Sequence, residues 1–188
     1  MPTYTIFAGV NGAGKTSIYQ SIYYNENKNE KRINTDEMVA RIGSWQDKHL
    51  QLKCGREAVK LIKEYINNKI SFNQETTLCG KSIIRNIQLA KNNGFYIVIN
   101  YIGLKDSELA KKRVRIRVKK GGHGISDNDI ERRYYDSLRN LIEILPLCDE
   151  VNIYDNTEML TEIIYFNNGK ISWANSYIPK WAQYLLSK

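Results

Sequence analysis

At 188 residues, with 42% hydrophobic and 26% charged side chains, the chain has an ordinary globular balance and enough apolar material for a full core. No apolar run approaches bilayer length and the N-terminus lacks a signal-peptide layout, so a membrane protein is not expected and a cytoplasmic one is. The three cysteines show no CxxC spacing, which sets aside a disulfide framework and a zinc site, and the net charge of +8 calls for a partner rich in phosphate.

In chain order, Thr5 to Ala8 reads as a short buried strand. Gly9-Val10-Asn11-Gly12-Ala13-Gly14-Lys15-Thr16 follows and fits G-x-x-x-x-G-K-[ST], the phosphate-cradling P-loop, and Ser17 to Ile22 continues as a helix. Glycines let the backbone wrap phosphates with N–H groups inward, and the helix N-terminus adds its positive end. Gly9, Asn11, Gly12, Ala13, Gly14, Lys15, Thr16 and Ser17 are therefore the candidate nucleotide-binding residues. Lys15 is placed to reach the β- and γ-phosphates, and the Thr16 hydroxyl to ligate Mg²⁺. The alternative is a chance match in a glycine-containing turn.

Asn25 to Asn29 reads as a loop and Arg32 to Asn34 as a strand; Thr35 or Asp36 then caps a helix over Glu37 to Ile42. Cys54, Ala58, Leu61, Ile62 and Tyr65 recur at helical spacing within a helix from His49 to Asn67. Ile70 to Glu75 alternates as a strand, and a helix from Lys81 to Asn93 closes at Asn93-Gly94. Tyr96 to Ile102, the most continuous apolar run, fits a central parallel strand covered on both faces. A basic helix from Asp106 to Lys119, the joint Gly121-Gly122-His123-Gly124, and an apolar-striped helix from Asn128 to Leu145 come next, stopped by Pro146. Glu150 to Asp155 is a further core strand. Ile163 to Phe166 and Lys170 to Trp173 form a hairpin across Asn168-Gly169, and a last short helix carries Trp181, Tyr184 and Leu185.

Alternating strands and helices predict an α/β fold of the P-loop nucleotide-kinase type, three layers around a mostly parallel sheet. The chain reads as one domain over residues 1–188, with residues 106–145 as a helical lid and 160–188 as a C-terminal hairpin and helix. Ligands of such sheets sit beyond the carboxyl ends of the strands, which singles out the P-loop, Asp36, Glu75 and Asp155. Asp36 is placed either to take a proton from an acceptor hydroxyl or hold the water shell of Mg²⁺, or merely to cap its helix. Glu75 and Thr76 belong to a polar run that closes an apolar strand, which packing does not explain. Glu75 either orients the acceptor or the metal, or caps the helix behind it.

No apolar strand ends in the acidic pair of a motor ATPase, which favours a small kinase. Arg113 and Arg117, four apart on one helix face, and Arg133 across the joint are placed to close on the transferring phosphoryl, against the alternative of a solvated basic face. Lys111, Lys112, Lys119 and Lys120 read as such a face. His123 is a candidate substrate or phosphate contact, or a helix cap.

These residues resemble the zeta toxin-like P-loop kinases. The likeness rests on Gly9 to Thr16, Ile33 to Glu37, Gln74 to Gly80, Arg113 to Val118, Gly121-Gly122-His123, Arg132-Arg133-Tyr134, Ser137 to Leu141 and Ile153 to Asn156, covering most of the chain up to about residue 156. The family's toxin members phosphorylate a sugar hydroxyl of UDP-N-acetylglucosamine with ATP and Mg²⁺ and are held inactive by a small helical antitoxin. The resemblance implies that Asp36 matches the catalytic base and Glu75 the substrate-orienting carboxylate, with Arg113 or Arg117, and Arg133, as phosphate-binding arginines. It leads to an ATP- and Mg²⁺-dependent kinase acting on a small hydroxyl-bearing acceptor, with an antitoxin as candidate partner. The rival readings are a nucleotide-binding regulator, a nucleic-acid-binding protein and a nucleic-acid kinase. The basic residues cluster around Lys111 to Arg117, Lys119-Lys120 and Arg132-Arg133, which favours a pocket over a nucleic-acid surface.

Overall fold

The computed structural model describes residues 1–27 and 29–187; of the loop expected over Asn25 to Asn29, position 28 lies outside the described residues, as does position 188 of the expected domain. Seven strands form one sheet in the order β2-β3-β1-β4-β5-β6-β7. They are β1 (Thr3–Ala8), β2 (Lys31–Ile33), β3 (Phe72–Thr76), β4 (Tyr96–Gly103), β5 (Glu150–Asp155), β6 (Thr161–Asn167) and β7 (Lys170–Ala174). The first five in sequence pair in parallel, and β6 and β7 add to the β5 edge antiparallel.

β4 lies in the middle, as its apolar run predicts. Ile97, Ile99 and Tyr101 face a large core shared with Ala58, Ile62, Ile87 and Leu141, while Ile102 belongs to a second core with Phe7, Ile18 and Val114. Apolar contacts on both faces of the sheet make a three-layer sandwich, and each fully buried Ile or Phe contributes about 1.5–3 kcal/mol through removal from water.

The helices are α1 (Lys15–Ile18), α2 (Thr35–Ile42), α3 (Lys48–Asn67), α4 (Lys81–Asn92), α5 (Ser107–Lys119) and α6 (Asp127–Ile144), with 3₁₀ turns at Leu145–Leu147 and Lys180–Ser187. Two details differ from the sequence reading. The helix after the P-loop passes into a π-helical turn, Tyr19–Tyr23. The cap of α2 is neither Thr35 nor Asp36 but Asn34, whose side chain accepts from the Asp36 and Glu37 N–H groups at 2.9 and 3.3 Å. The strand before it therefore ends at Ile33, and Asp36 is spared the capping duty. At the far edge, Asn168 and Gly169 both take positive φ (49° and 74°), the left-handed pair that a two-residue hairpin turn requires.

Candidate active site

The P-loop is shaped by its glycines and held by a residue 143 positions further along the chain. Gly9 and Gly14 sit at φ of +141° and +98°. A Cβ on Gly9 would lie 2.2 Å from the Ile102 carbonyl oxygen, and one on Gly14 would lie 2.6 Å from Asn156 Nδ2. Asn156, at the tip of β5, donates to the Ala13 carbonyl at 2.8 Å. Gly9 and Ala13 thus shape the loop, while Asn11, Gly12, Gly14, Lys15, Thr16 and Ser17 line a cleft of about 640 Å³. Lys15 is buried, and Nζ donates to the Val10 carbonyl at 3.2 Å. Burial pulls its pKa down, against the pull of Glu75 and Asp36.

Glu75, delivered by β3 between β1 and β2, is saturated. It accepts from Thr16 Oγ1 at 2.8 and 3.0 Å, from Arg32 Nη2 at 2.8 Å and from Asn34 Nδ2 at 2.9 Å. Arg32 also binds Glu37 and Asn73, and its guanidinium lies 3.5 Å from the centre of the Tyr19 ring in the π-turn. Glu75 does not cap α4, whose first turn follows Gly80 with no side-chain cap. Thr76 is absent from the cleft lining; its Oγ1 accepts from the Leu78 N–H at 3.1 Å and closes the turn in which Leu78 takes φ +58°.

Across the cleft, Asp36 meets the helical side. His123 Nε2 lies 3.0 Å from Asp36 Oδ2, at ion-pair distance but off the line of an aligned N–H donor. Burial alone would raise the Asp36 carboxyl; the facing imidazole of His123, with Lys15 and Arg117, outweighs it and holds the group below the ordinary carboxylate range. Arg113 and Arg117 share a helix face and both line the cleft. Arg113 donates to the Thr157 carbonyl at 3.1 Å and Arg117 Nε to the His123 carbonyl at 3.1 Å. Arg117 Nη2 is buried without a hydrogen-bond partner among the described residues. A buried guanidinium nitrogen left open is costly alone and suited to a phosphate oxygen.

Arg133 does not line the cleft: it donates to Asn11 Oδ1 at 3.1 Å and reaches the loop only through that side chain. Arg132 pairs with Asp129 and Asp136 on the surface. Lys112, Lys119 and Lys120 are exposed as expected, but Lys111 is buried, bridging Glu108 and Glu131 at 2.6 and 2.7 Å and tying α5 to α6. Asp155 accepts from Trp181 Nε1 at 2.8 Å and from Thr157, a structural role outside the cleft lining.

Sequence reasoning missed Trp45, Arg32, Asn34 and Asn156. Trp45 lines the cleft and stacks on His123 with ring centres 4.4 Å apart. Its only sequence signal was a large aromatic in a polar, aperiodic link between two helices. Asn34 was visible as the first member of Asn34-x-x-Glu37, a capping-box spacing, and its Nδ2 does donate to Glu37 at 3.1 Å.

The donor set suits a hard divalent cation. Thr16 and Glu75 lie side by side at the loop's end, and no group of three or more His, Cys, Asp or Glu among the described residues forms a metal cage. A Mg²⁺ that keeps its waters and takes phosphate oxygens fits such a place.

A parallel sheet whose first strand opens into a lysine-ended glycine loop, with carboxylates at the tips of the neighbouring strands, defines a P-loop protein of the nucleotide-kinase type. The family model described as Zeta toxin matches residues 1–169, and the chain belongs to that family. An uncharacterized protein of Haemophilus influenzae (strain ATCC 51907 / DSM 11121 / KW20 / Rd) is 34% identical over 128 residues, 68% of this chain and 89% of the relative. The AvrRxo1-ORF1:AvrRxo1-ORF2 complex, solved with sulphate ions and with ATP, aligns at TM-scores of 0.69 and 0.68 with 14% identity, covering 94% and 92% of this chain. The chain spans 62% and 60% of the lengths of those structures. A structure from the PezAT chromosomal toxin-antitoxin system of Streptococcus pneumoniae aligns over 100% of this chain and 82% of its own, at TM-score 0.67 and 17% identity. No helix among the described residues is long and apolar enough to cross a membrane.

Proposed function

We propose that the protein is an ATP-dependent phosphotransferase that moves the γ-phosphoryl to a hydroxyl of a small molecule, a UDP-N-acetyl sugar being the acceptor that the family suggests. The observation that carries this reading is the convergence of Lys15, Thr16, Asp36, Glu75, Arg113 and Arg117 on one cleft. The ATP complex of a structural neighbour supports the choice of nucleotide. Lys15 and the loop amides hold the β- and γ-phosphates, and the Thr16 hydroxyl beside Glu75 would hold a hydrated Mg²⁺, which would neutralise phosphate charge. Asp36 takes the acceptor's hydroxyl proton. Arg117 meets the charge that develops on the transferred group, and Arg113 supports the nucleotide phosphates. Arg133 acts indirectly, by fixing Asn11. The unit α5–joint–α6 serves as the lid, and the sheet, lid and C-terminal hairpin work as one domain. The toxin-antitoxin system to which a structural neighbour belongs supports an antitoxin as a protein partner.

The decisive experiment is ATP consumption measured against UDP-sugars, nucleosides and oligonucleotides, with product phosphorylation read by mass spectrometry. A small-molecule acceptor is expected. Phosphorylation of oligonucleotides alone, or salt-sensitive nucleic-acid binding untouched by Lys15→Ala, would replace this reading with a nucleic-acid one.

A further inference from the structure

Among the described residues, the Asp36 carboxylate has one ion-pair partner, and that partner is itself clamped. His123 Nε2 lies 3.0 Å from Asp36 Oδ2. The imidazole lies flat on Trp45, with an interplanar angle of 14°. Trp45 comes from the link between α2 and α3, His123 from the joint between α5 and α6, so the two rings bring opposite sides of the cleft together at the carboxylate. The joint is pinned by Arg117 Nε on the His123 carbonyl, and a Cβ on Gly122 would lie 2.6 Å from Arg117 Cγ, so the backbone there has little room to drift. Trp45 Nε1 and His123 Nε2 are both buried without an aligned hydrogen-bond partner among the described residues. Packing alone leaves the indole donor costly, and a hydroxyl-bearing ligand gives it an acceptor, whereas His123 Nε2 has the Asp36 carboxylate 3.0 Å away as its charge partner.

We propose that Trp45 and His123 form a positioning pair, in which the indole holds the imidazole and the imidazole holds Asp36 Oδ2, leaving Oδ1 to receive the acceptor's hydroxyl proton. The inference rests on the reading of Asp36 as the base. It adds two residues that act through Asp36 and do not touch the phosphates. The pair also explains why a rigid aromatic sits in an otherwise polar link: a stacked ring fixes imidazole orientation with two torsions, at low entropic cost.

The test reads Asp36 directly. Its carboxyl carbon is followed by ¹³C NMR through an acid titration of the ligand-free protein, the resonance being assigned by its loss in Asp36→Asn. The other charged groups around it are Lys15 on α1, Arg117 on α5, Glu75 on β3 and Glu37 on its own helix, and all stay in place. His123→Gln should raise the Asp36 midpoint, because the imidazole facing the carboxylate is removed. Trp45→Ala should raise it part of the way, and Trp45→Phe, which keeps the stack, should leave it unmoved. In parallel, ATP turnover with water as phosphoryl acceptor should fall about 10²-fold in kcat for His123→Gln, with KM for ATP unchanged. A midpoint that stays put in His123→Gln overturns the inference whatever the kinetics. A moved midpoint with full turnover overturns it as well. Asp36→Asn with full turnover would instead fail the base assignment itself, an outcome separable from the first two.

Discussion

The two walls of the cleft are built on opposite principles. On the sheet side, Glu75, Arg32, Asn34 and Thr16 satisfy one another through hydrogen bonds of 2.8 to 3.0 Å, and Asn156 locks the loop beside them. On the helical side, Arg117 Nη2 and His123 Nε2 are buried without an aligned hydrogen-bond partner among the described residues, as is Trp45 Nε1 from the α2–α3 link opposite. A saturated network is rigid before any ligand arrives, whereas open donors hold their binding energy until one does. The sheet wall therefore carries more of the stability, and the helical wall more of the response to a bound ligand.

The largest effect should come where the walls meet. Asp36→Asn is expected to lower turnover by about 10²–10⁴-fold with ATP binding intact, measured by single-turnover phosphoryl transfer and by calorimetric titration with ATP. Because His123, Lys15 and Arg117 keep the carboxyl ionised below its usual range, the wild-type acid limb should also lie below that range. As pH falls through the folded pKa, both the base and the stability it contributes above the unfolded pKa are lost together.

Arg117→Ala sharpens the contrast. It should cost about 10²–10³-fold in kcat with only a small change in melting temperature, since loss of the Nε bond to the His123 carbonyl is offset by removal of an unsatisfied buried donor. A large fall in melting temperature with turnover preserved would break the division of labour.

The smallest effect on chemistry is expected on the sheet wall. Asn34→Ala should destabilise by about 0.5–2 kcal/mol through loss of the α2 cap, read as a lower urea midpoint with the urea m-value unchanged. Its turnover, measured well below that midpoint, should change less than that of Arg117→Ala.

Legibility in the sequence followed locality. The P-loop, the central run Tyr96 to Ile102 and the polar end of β3 are each contained within a few residues, and periodicity or glycine spacing exposes them. Arg32 did not announce itself, because its meaning comes from Glu75, 43 positions away. Lys111 reads as one more surface lysine until Glu131, 20 positions on, folds back to meet it. Arg113 and Arg117 could be put on one face by helical spacing, but whether Arg133 joined them depended on the angle between α5 and α6, which spacing does not encode. Trp45 was hidden by the same logic: a residue in an aperiodic link acquires its role only from what the rest of the chain brings to it.

The bond from Asn156 to the Ala13 carbonyl spans 143 positions. During synthesis, the strut emerges 143 residues after the loop that it braces. A ribosome-bound chain that already displays the complete phosphate-binding signature therefore still lacks the brace that gives the signature its shape. The braced form of the loop therefore waits for the end of β5, by which time β3 and β4, the strands on both sides of β1, have been made.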